Sequence, residues 1–88
     1  MKSKRVQDFE VRAKTSDERY QLIALRNGEI QAMRFHSTEY QQDRRHKKLY
    51  KAYEENCLWI QEINEALGIN GYKELYNEDE WKVAFGYL

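Results

Sequence analysis

Hydrophobic and polar residues alternate along residues 6–14, near the start of the chain. Phe9, Val11 and Ala13 fall on one side of an extended backbone, and the residues between them are charged. A period of two is typical of a strand with one buried face. This stretch therefore predicts the first strand of a sheet.

A second pattern surrounds Asn27-Gly28, the dipeptide that a type I′ hairpin turn prefers because both central residues take positive φ. A turn at this point pairs apolar residues across two strands, for example Tyr20 with Phe35. Together with the first strand, this hairpin predicts a three-stranded antiparallel β-meander over residues 6–36.

An alternative interpretation makes residues 15–26 helical. Thr15 and Glu18 have the spacing of a capping box, and a helix that begins there can end at Asn27-Gly28. We prefer the hairpin because the residues on both sides of its turn match in register, which a helix does not require. The choice between strand and helix for this segment stays open at the level of sequence.

A long helix is predicted over residues 38–67, where no proline or glycine interrupts the chain. At a rise of 1.5 Å per residue such a helix is about 45 Å long. Apolar residues recur at steps of three and four, as one helix face requires. They are Leu49, Tyr50, Tyr53, Cys57, Ile60, Ile63 and Leu67. Gly68 is predicted to end this helix.

The remaining residues predict a short C-terminal helical segment within 72–88, because Asn77 and Glu80 have the spacing of a helix cap. Residues 1–5 are predicted to form a flexible basic arm. The fold class that results is α+β in one small domain over 1–88. It comprises the β-meander, one long helix and a short C-terminal helix.

The composition favours an intracellular protein. The chain has 88 residues and one cysteine, Cys57, so no disulfide can form within it, as is typical of a reducing compartment. No stretch approaches the roughly 18 consecutive apolar residues of a membrane span. We expect a cytoplasmic location, in the host cytoplasm if the gene belongs to a phage, and no membrane partner.

The net charge is zero, but the two parts of the chain carry opposite charges. Residues 1–51 contain 13 Lys and Arg against 7 Asp and Glu, a net +6, whereas residues 52–88 contain 2 against 8, a net −6. On the predicted long helix, the outer face therefore passes from basic to acidic. A polarised surface of this kind points to a charged partner.

Catalytic chemistry has little support in the sequence. His36 and His46 are ten residues apart and have no cysteine or carboxylate at metal-ligand spacing, so no zinc site is predicted. Cys57 falls on the apolar stripe of the long helix, where a structural thiol is usual. The chain also lacks a glycine-rich phosphate loop and a nucleophile elbow. We therefore predict a protein that is not an enzyme and needs no cofactor.

The leading functional hypothesis is a small protein-binding module that inhibits or modulates a larger host enzyme. Its size and composition are those of small accessory proteins from phages and mobile elements. Complementary charge would set the rate and specificity of docking. The predicted basic contacts are Arg44, Arg45, Lys47, Lys48 and Lys51, and the predicted apolar contacts are Tyr40 and Leu58.

Two alternatives remain. The first is nucleic-acid binding by the basic face of the sheet and the start of the long helix, although the acidic half of the chain opposes it. The residues of that sheet face and of the basic arm are Lys4, Arg5, Arg12, Arg19 and Arg34. The second is a homodimer in which the basic and acidic parts of two long helices pair in antiparallel fashion.

Overall fold

The protein is all-helical in the part of the chain that the structure describes, residues 2–86 of a computed structural model. The four helices are α1 (Lys4–Arg12), α2 (Ser16–Gln42), α3 (Lys47–Leu67) and α4 (Glu78–Ala84). The predicted α+β class and its three-stranded meander over 6–36 are therefore wrong. Residue 1 of the predicted arm and residues 87–88 of the predicted C-terminal segment lie outside the described residues.

Helix α1 takes the place of residues 4–5 of the predicted flexible arm and of most of the first predicted strand. The side-chain oxygen of Ser3 accepts a hydrogen bond from the Val6 N–H at 3.2 Å and so caps the helix. Val6 and Phe9 are buried at helical spacing, whereas Val11 is 64% exposed. The alternation seen in the sequence was misleading because Val11 does not share the buried side of Phe9.

Helix α2 begins where the alternative interpretation placed a helix. The Thr15 side chain accepts a hydrogen bond from the Glu18 N–H at 3.3 Å. The helix then continues through Asn27-Gly28, so the predicted hairpin turn is wrong. Gly28 has no left-handed φ, and the buried Asn27 side chain bonds to the backbone of Leu75. A tertiary contact thus outweighs the local preference of Asn-Gly for a turn.

Helices α2 and α3 form an antiparallel hairpin that turns at residues 43–46. The continuous helix predicted over 38–67, and the uninterrupted docking face that depended on it, are therefore wrong. The reversal allows Leu22 of α2 to pack against Ile63 of α3 in a shared core cluster. Burying one such side chain contributes about 1.5–3 kcal/mol, which an isolated straight helix would not gain.

The core has two parts. Phe9, Leu22 and Ile63 join α1, α2 and α3. A second cluster of Ile23, Ile69 and Leu75 attaches the C-terminal segment to α2. The partly buried residues packed against this second cluster are Leu67, Trp81, Ala84 and Phe85.

Two predicted features of the C-terminal half are confirmed. Helix α3 ends at Leu67, and Gly68 follows it with the left-handed φ of 72° that favours glycine. Helix α4 is capped by Asn77, whose side-chain oxygen accepts a hydrogen bond from the Glu80 N–H at 2.9 Å. Local signals were sufficient here because both are contained within a few residues.

Candidate interaction site at the hairpin tip

The turn between α2 and α3 is held by Asp43. Its carboxylate accepts hydrogen bonds from the backbone N–H and the Nε of Arg45, each at 3.1 Å. Its other oxygen lies 3.5 Å from His46 Nε2. The hydrogen bonds from Arg45 hold the pKa of Asp43 below its ordinary value. This carboxylate is therefore engaged within the turn, as is Arg45.

The other cations of this region carry positive charge without a carboxylate partner. Within residues 2–86 none of them takes part in an ion pair, and all are exposed. They are Arg44, Lys47, Lys48 and Lys51. We call these four residues the basic tip. Free cations that are close together raise the local positive potential and attract an anionic partner.

Three tyrosines lie beside the basic tip. Tyr40 comes from α2 and Tyr50 and Tyr53 from α3, with ring centres 5.3 Å apart for Tyr40–Tyr50 and 6.3 Å for Tyr50–Tyr53. Tyr50 is 45% exposed. With Arg44, they line an open groove of about 280 Å³. The chain reversal thus brings Tyr40 of α2 next to Tyr50 of α3. Tyr40 and Arg44, two predicted contact residues, both line this groove.

The groove is neutral or basic throughout its lining. Its two further lining residues are Ser37 and Gln41, and none of the six is acidic. Aromatic faces, hydroxyl groups and one guanidinium can together hold a planar or anionic group by stacking and hydrogen bonding. We call this feature the tyrosine groove.

The predicted apolar contact Leu58 lies apart from the basic tip. It is 48% exposed on α3, seven residues after Lys51, or about 10 Å along the helix. Glu54 and Glu55 lie between them and line the same shallow depression as Leu58. The outer face of α3 therefore still passes from basic to acidic residues, as predicted for the long helix. This face extends only over Lys47–Leu67 and not over 38–67.

The residues of the alternative nucleic-acid face do not form the predicted sheet face. No sheet is present among the described residues to carry them. Lys4, Arg5 and Arg12 lie on α1, whereas Arg19 and Arg34 lie on α2.

Two of these arginines are also engaged by acids. Arg5 donates two hydrogen bonds to Glu62, at 2.9 and 2.7 Å, and its guanidinium carbon lies 3.9 Å from the centre of the Trp59 ring. Arg34 forms an ion pair with Glu74. Neither guanidinium is free to neutralise a phosphate without breaking an intramolecular contact.

Sequence reasoning missed a buried polar cluster centred on Arg26. Its guanidinium is 1% exposed and donates to Asn64 Oδ1 at 2.5 Å, to the Lys73 carbonyl at 2.7 Å and to the Gly71 carbonyl at 2.9 Å. Burial lowers the pKa of Arg26. The signal in the sequence was its position, because Arg26 follows Leu22 by four residues, which places it on the buried face of a helix.

A second missed network crosses the hairpin between Glu29, Asn56 and His36. Asn56 Nδ2 donates to Glu29 at 2.7 Å, and Asn56 Oδ1 lies 2.8 Å from His36 Nδ1, which must therefore carry the proton. All three side chains are half-buried. The network fixes the pairing of α2 with α3, since a one-turn slip would separate its members.

Comparisons with protein-family models, with curated proteins and with solved structures give no match. Among residues 2–86, no helix has the length and apolar character needed to cross a membrane. The same residues contain no group of three or more histidines, cysteines or carboxylates able to hold a metal ion.

Proposed function

We propose that this protein is a small non-enzymatic binding module that docks its basic tip against an acidic surface of a larger protein in the cytoplasm. The observation that supports this most is the gathering of four cations without ion pairs at one turn. Some cations elsewhere, such as Arg5 and Arg34, have acidic partners. By occupying a surface of a larger enzyme, the module would inhibit or modulate it.

The basic tip suits fast and specific docking. Exposed cations at the end of a projecting hairpin steer an acidic partner and add to the association rate more than to the affinity. Tyr40 and Tyr50 would supply the apolar contact next to these charges, because tyrosine is enriched at interfaces and loses little side-chain entropy on binding.

The test is a triple charge reversal within the basic tip, Arg44→Glu with Lys47→Glu and Lys48→Glu, in a quantitative capture experiment. Extract from the source cells is treated with nuclease and passed over the immobilised protein. A partner retained by the parent protein should be lost from the variant. Thermal unfolding should be nearly unchanged, because exposed substitutions of this kind usually alter stability by less than about 0.5 kcal/mol each.

A matched control carries the same change in charge on α1, with Lys4→Glu, Arg12→Glu and Lys14→Glu, three exposed residues. This control should retain the partner. Equal capture by the tip variant and the control would contradict docking through the basic tip.

A second candidate function is binding of single-stranded nucleic acid, which the tyrosine groove favours. A base could stack on Tyr50 while Arg44 contacts a phosphate, and stacking contributes about 1–3 kcal/mol per base. A fluorescent oligonucleotide titrated at several salt concentrations tests this. Phosphate binding requires a steep fall of affinity with salt, and Tyr50→Ala should weaken binding by roughly fivefold or more. A flat salt response would exclude it.

A further inference from the structure

The outward side of α2 is almost free of charge. Eleven residues from Tyr20 to Gln42 are exposed, and ten of them are uncharged, in a chain of which 34% is charged. The exception is Arg34, which is paired with Glu74. Depletion of charge marks the central part of protein interfaces, whereas an ordinary solvated helix carries charges on its outer side.

This side of α2 carries a protruding aromatic ring, Phe35, and a notch where the small residues Ala24 and Gly28 leave open space. Phe35 is 60% exposed. Gly28 has no atom within 4 Å of the position a Cβ would take, and the exposed Ala24 lies one turn before it. Because seven residues make nearly two full turns, Phe35 and Gly28 lie on the same side of the helix, about 10 Å apart. Phe35 therefore cannot fill the notch of its own chain.

The notch continues into an apolar groove. The groove is open, with a volume of about 500 Å³, and Tyr76 and Trp81 of the C-terminal segment form its wall. Ala24 and Gly28 form part of its floor. A glycine within a helix costs about 1 kcal/mol relative to alanine, and no contact within this chain requires one at position 28.

We propose that α2 pairs with α2 of a second copy in an antiparallel, two-fold arrangement that seats each Phe35 over the partner's Gly28. A two-fold interface uses the same patch on both copies. The register is then defined, because residues whose numbers add up to 63 face each other. The axis passes between residues 31 and 32, close to the middle of α2.

The acidic start of α2 agrees with an antiparallel arrangement. Asp17 and Glu18 form an acidic first turn, and the pairing places this turn near the end of the partner's α2, which the basic tip follows in the chain. Parallel helices would instead bring the two acidic turns together. Glu39, on the same side of α2, faces the partner's Ala24 and meets no like charge. Lys48 and Lys51 of the basic tip are not used by this contact.

Helix geometry permits the contact along most of α2. Two helices of 27 residues are about 40 Å long. Each contact of Phe35 with the partner's Gly28 lies about 5 Å along the helix from the crossing point, and antiparallel helices commonly cross at about 20°. The proposed interface along α2 differs from the homodimer that the charge pattern of the long helix predicted. It involves none of the acidic residues of α3.

Sedimentation equilibrium of the full chain at several concentrations tests the proposal. The parent protein should form a dimer. Phe35→Ser should raise the dissociation constant at least about thirtyfold, as expected for a central interface residue. The matched control is Val11→Ser, whose parent residue is equally exposed at 64% but lies on α1. This control should leave the dimer unchanged.

Cross-linking tests the register. In a Cys57→Ser background, Ala32→Cys should form a disulfide with its copy under mild oxidation, because residue 32 lies next to the axis. Val11→Cys should remain a free thiol.

Two results would overturn the proposal. The first is a monomer at all concentrations up to about 1 mM, where even a weak complex of about −4 kcal/mol forms. The second is a dimer that Phe35→Ser leaves intact, which would place the interface elsewhere on the molecule.

Discussion

The side-chain amide of Asn27 forms two hydrogen bonds with the backbone of Leu75. Its Nδ2 donates to the Leu75 carbonyl at 2.8 Å, and its Oδ1 accepts from the Leu75 N–H at 2.9 Å. Asn27 is 7% exposed and Leu75 is 6% exposed. One side chain of α2 thus satisfies both polar groups of a buried backbone position 48 residues away.

Replacing Asn27 by alanine should destabilise the protein by about 1–3 kcal/mol. The substitution raises helix propensity, but it leaves the N–H of Leu75 buried without a partner, at about 1–3 kcal/mol. The carbonyl of Leu75 keeps the hydrogen bond that it accepts from Trp81 Nε1 at 3.1 Å. Urea unfolding followed by circular dichroism gives the free energy. Asn70→Ala is the control, because Asn70 is exposed and should change stability by less than about 0.5 kcal/mol. A small effect at position 27 would contradict the role assigned to this pair.

Arg26→Met should loosen the C-terminal segment. The guanidinium is costly to bury, which its lowered pKa reflects, but it satisfies three oxygen acceptors that methionine cannot reach. We expect a loss of about 1–3 kcal/mol, since Asn64 Oδ1 and the Lys73 carbonyl lose their donor. The Gly71 carbonyl keeps a hydrogen bond from Asn64 Nδ2 at 2.9 Å.

Hydrogen exchange identifies which part of the protein loses stability in Arg26→Met. Amides of the segment after Gly68 should exchange faster in the Arg26→Met protein, whereas the first turns of α1 should change little. Uniform acceleration over the whole chain would show that Arg26 supports the global fold and not this segment alone.

Replacement of two glycines by alanine should change the free energy of unfolding in opposite directions. Gly28→Ala should stabilise the monomer by about 0.5–1 kcal/mol, because position 28 is helical and has open space around it. Gly68→Ala should destabilise by about 1 kcal/mol, because the residue after α3 has a φ of 72°. Both values are obtained from thermal unfolding at low protein concentration. A change in stability of the same sign in both variants would contradict a helical position 28 and a helix end before Gly68.

The contact between Glu62 and Arg5 should make part of the stability dependent on pH. Hydrogen bonds from Arg5 hold the pKa of Glu62 below its ordinary value of 4.5. A carboxyl group of lowered pKa contributes stability above the unfolded-state pKa and loses it as the pH falls through the folded-state pKa. Glu62→Gln should therefore lower the free energy of unfolding by about 1 kcal/mol at pH 7. The effect is small because Arg5 is partly exposed, so that solvent screens the ion pair.

At pH 3 the difference between the parent protein and Glu62→Gln should shrink. Urea unfolding at the two pH values measures it. Glu65→Gln serves as the control on the same helix, because Glu65 is exposed. A difference that stays constant down to pH 3 would show that the ion pair does not cause the effect.

The sequence by itself determined the features whose causes are local. The stop at Gly68 and the cap at Asn77 each depend on hydrogen bonds or φ angles within one turn of chain. The cap at Thr15 is a local signal of the same kind, but the sequence left it as the alternative to the preferred hairpin. The buried face of α3 also followed from its spacing, with Ile60 and Ile63 fully buried as the pattern predicted. The leading functional residues of the tip were recognised from charge alone, but their function stays a prediction.

Only the tertiary structure decided between strand and helix, and between one long helix and a hairpin. Asn27-Gly28 favours a turn in isolation, yet the contact of Asn27 with Leu75 keeps α2 helical. The chain reverses at Asp43 without proline or glycine, because the reversal buries the apolar sides of α2 and α3 against each other. Such contacts join residues far apart in the chain, so no local pattern contains the free energy that selects them.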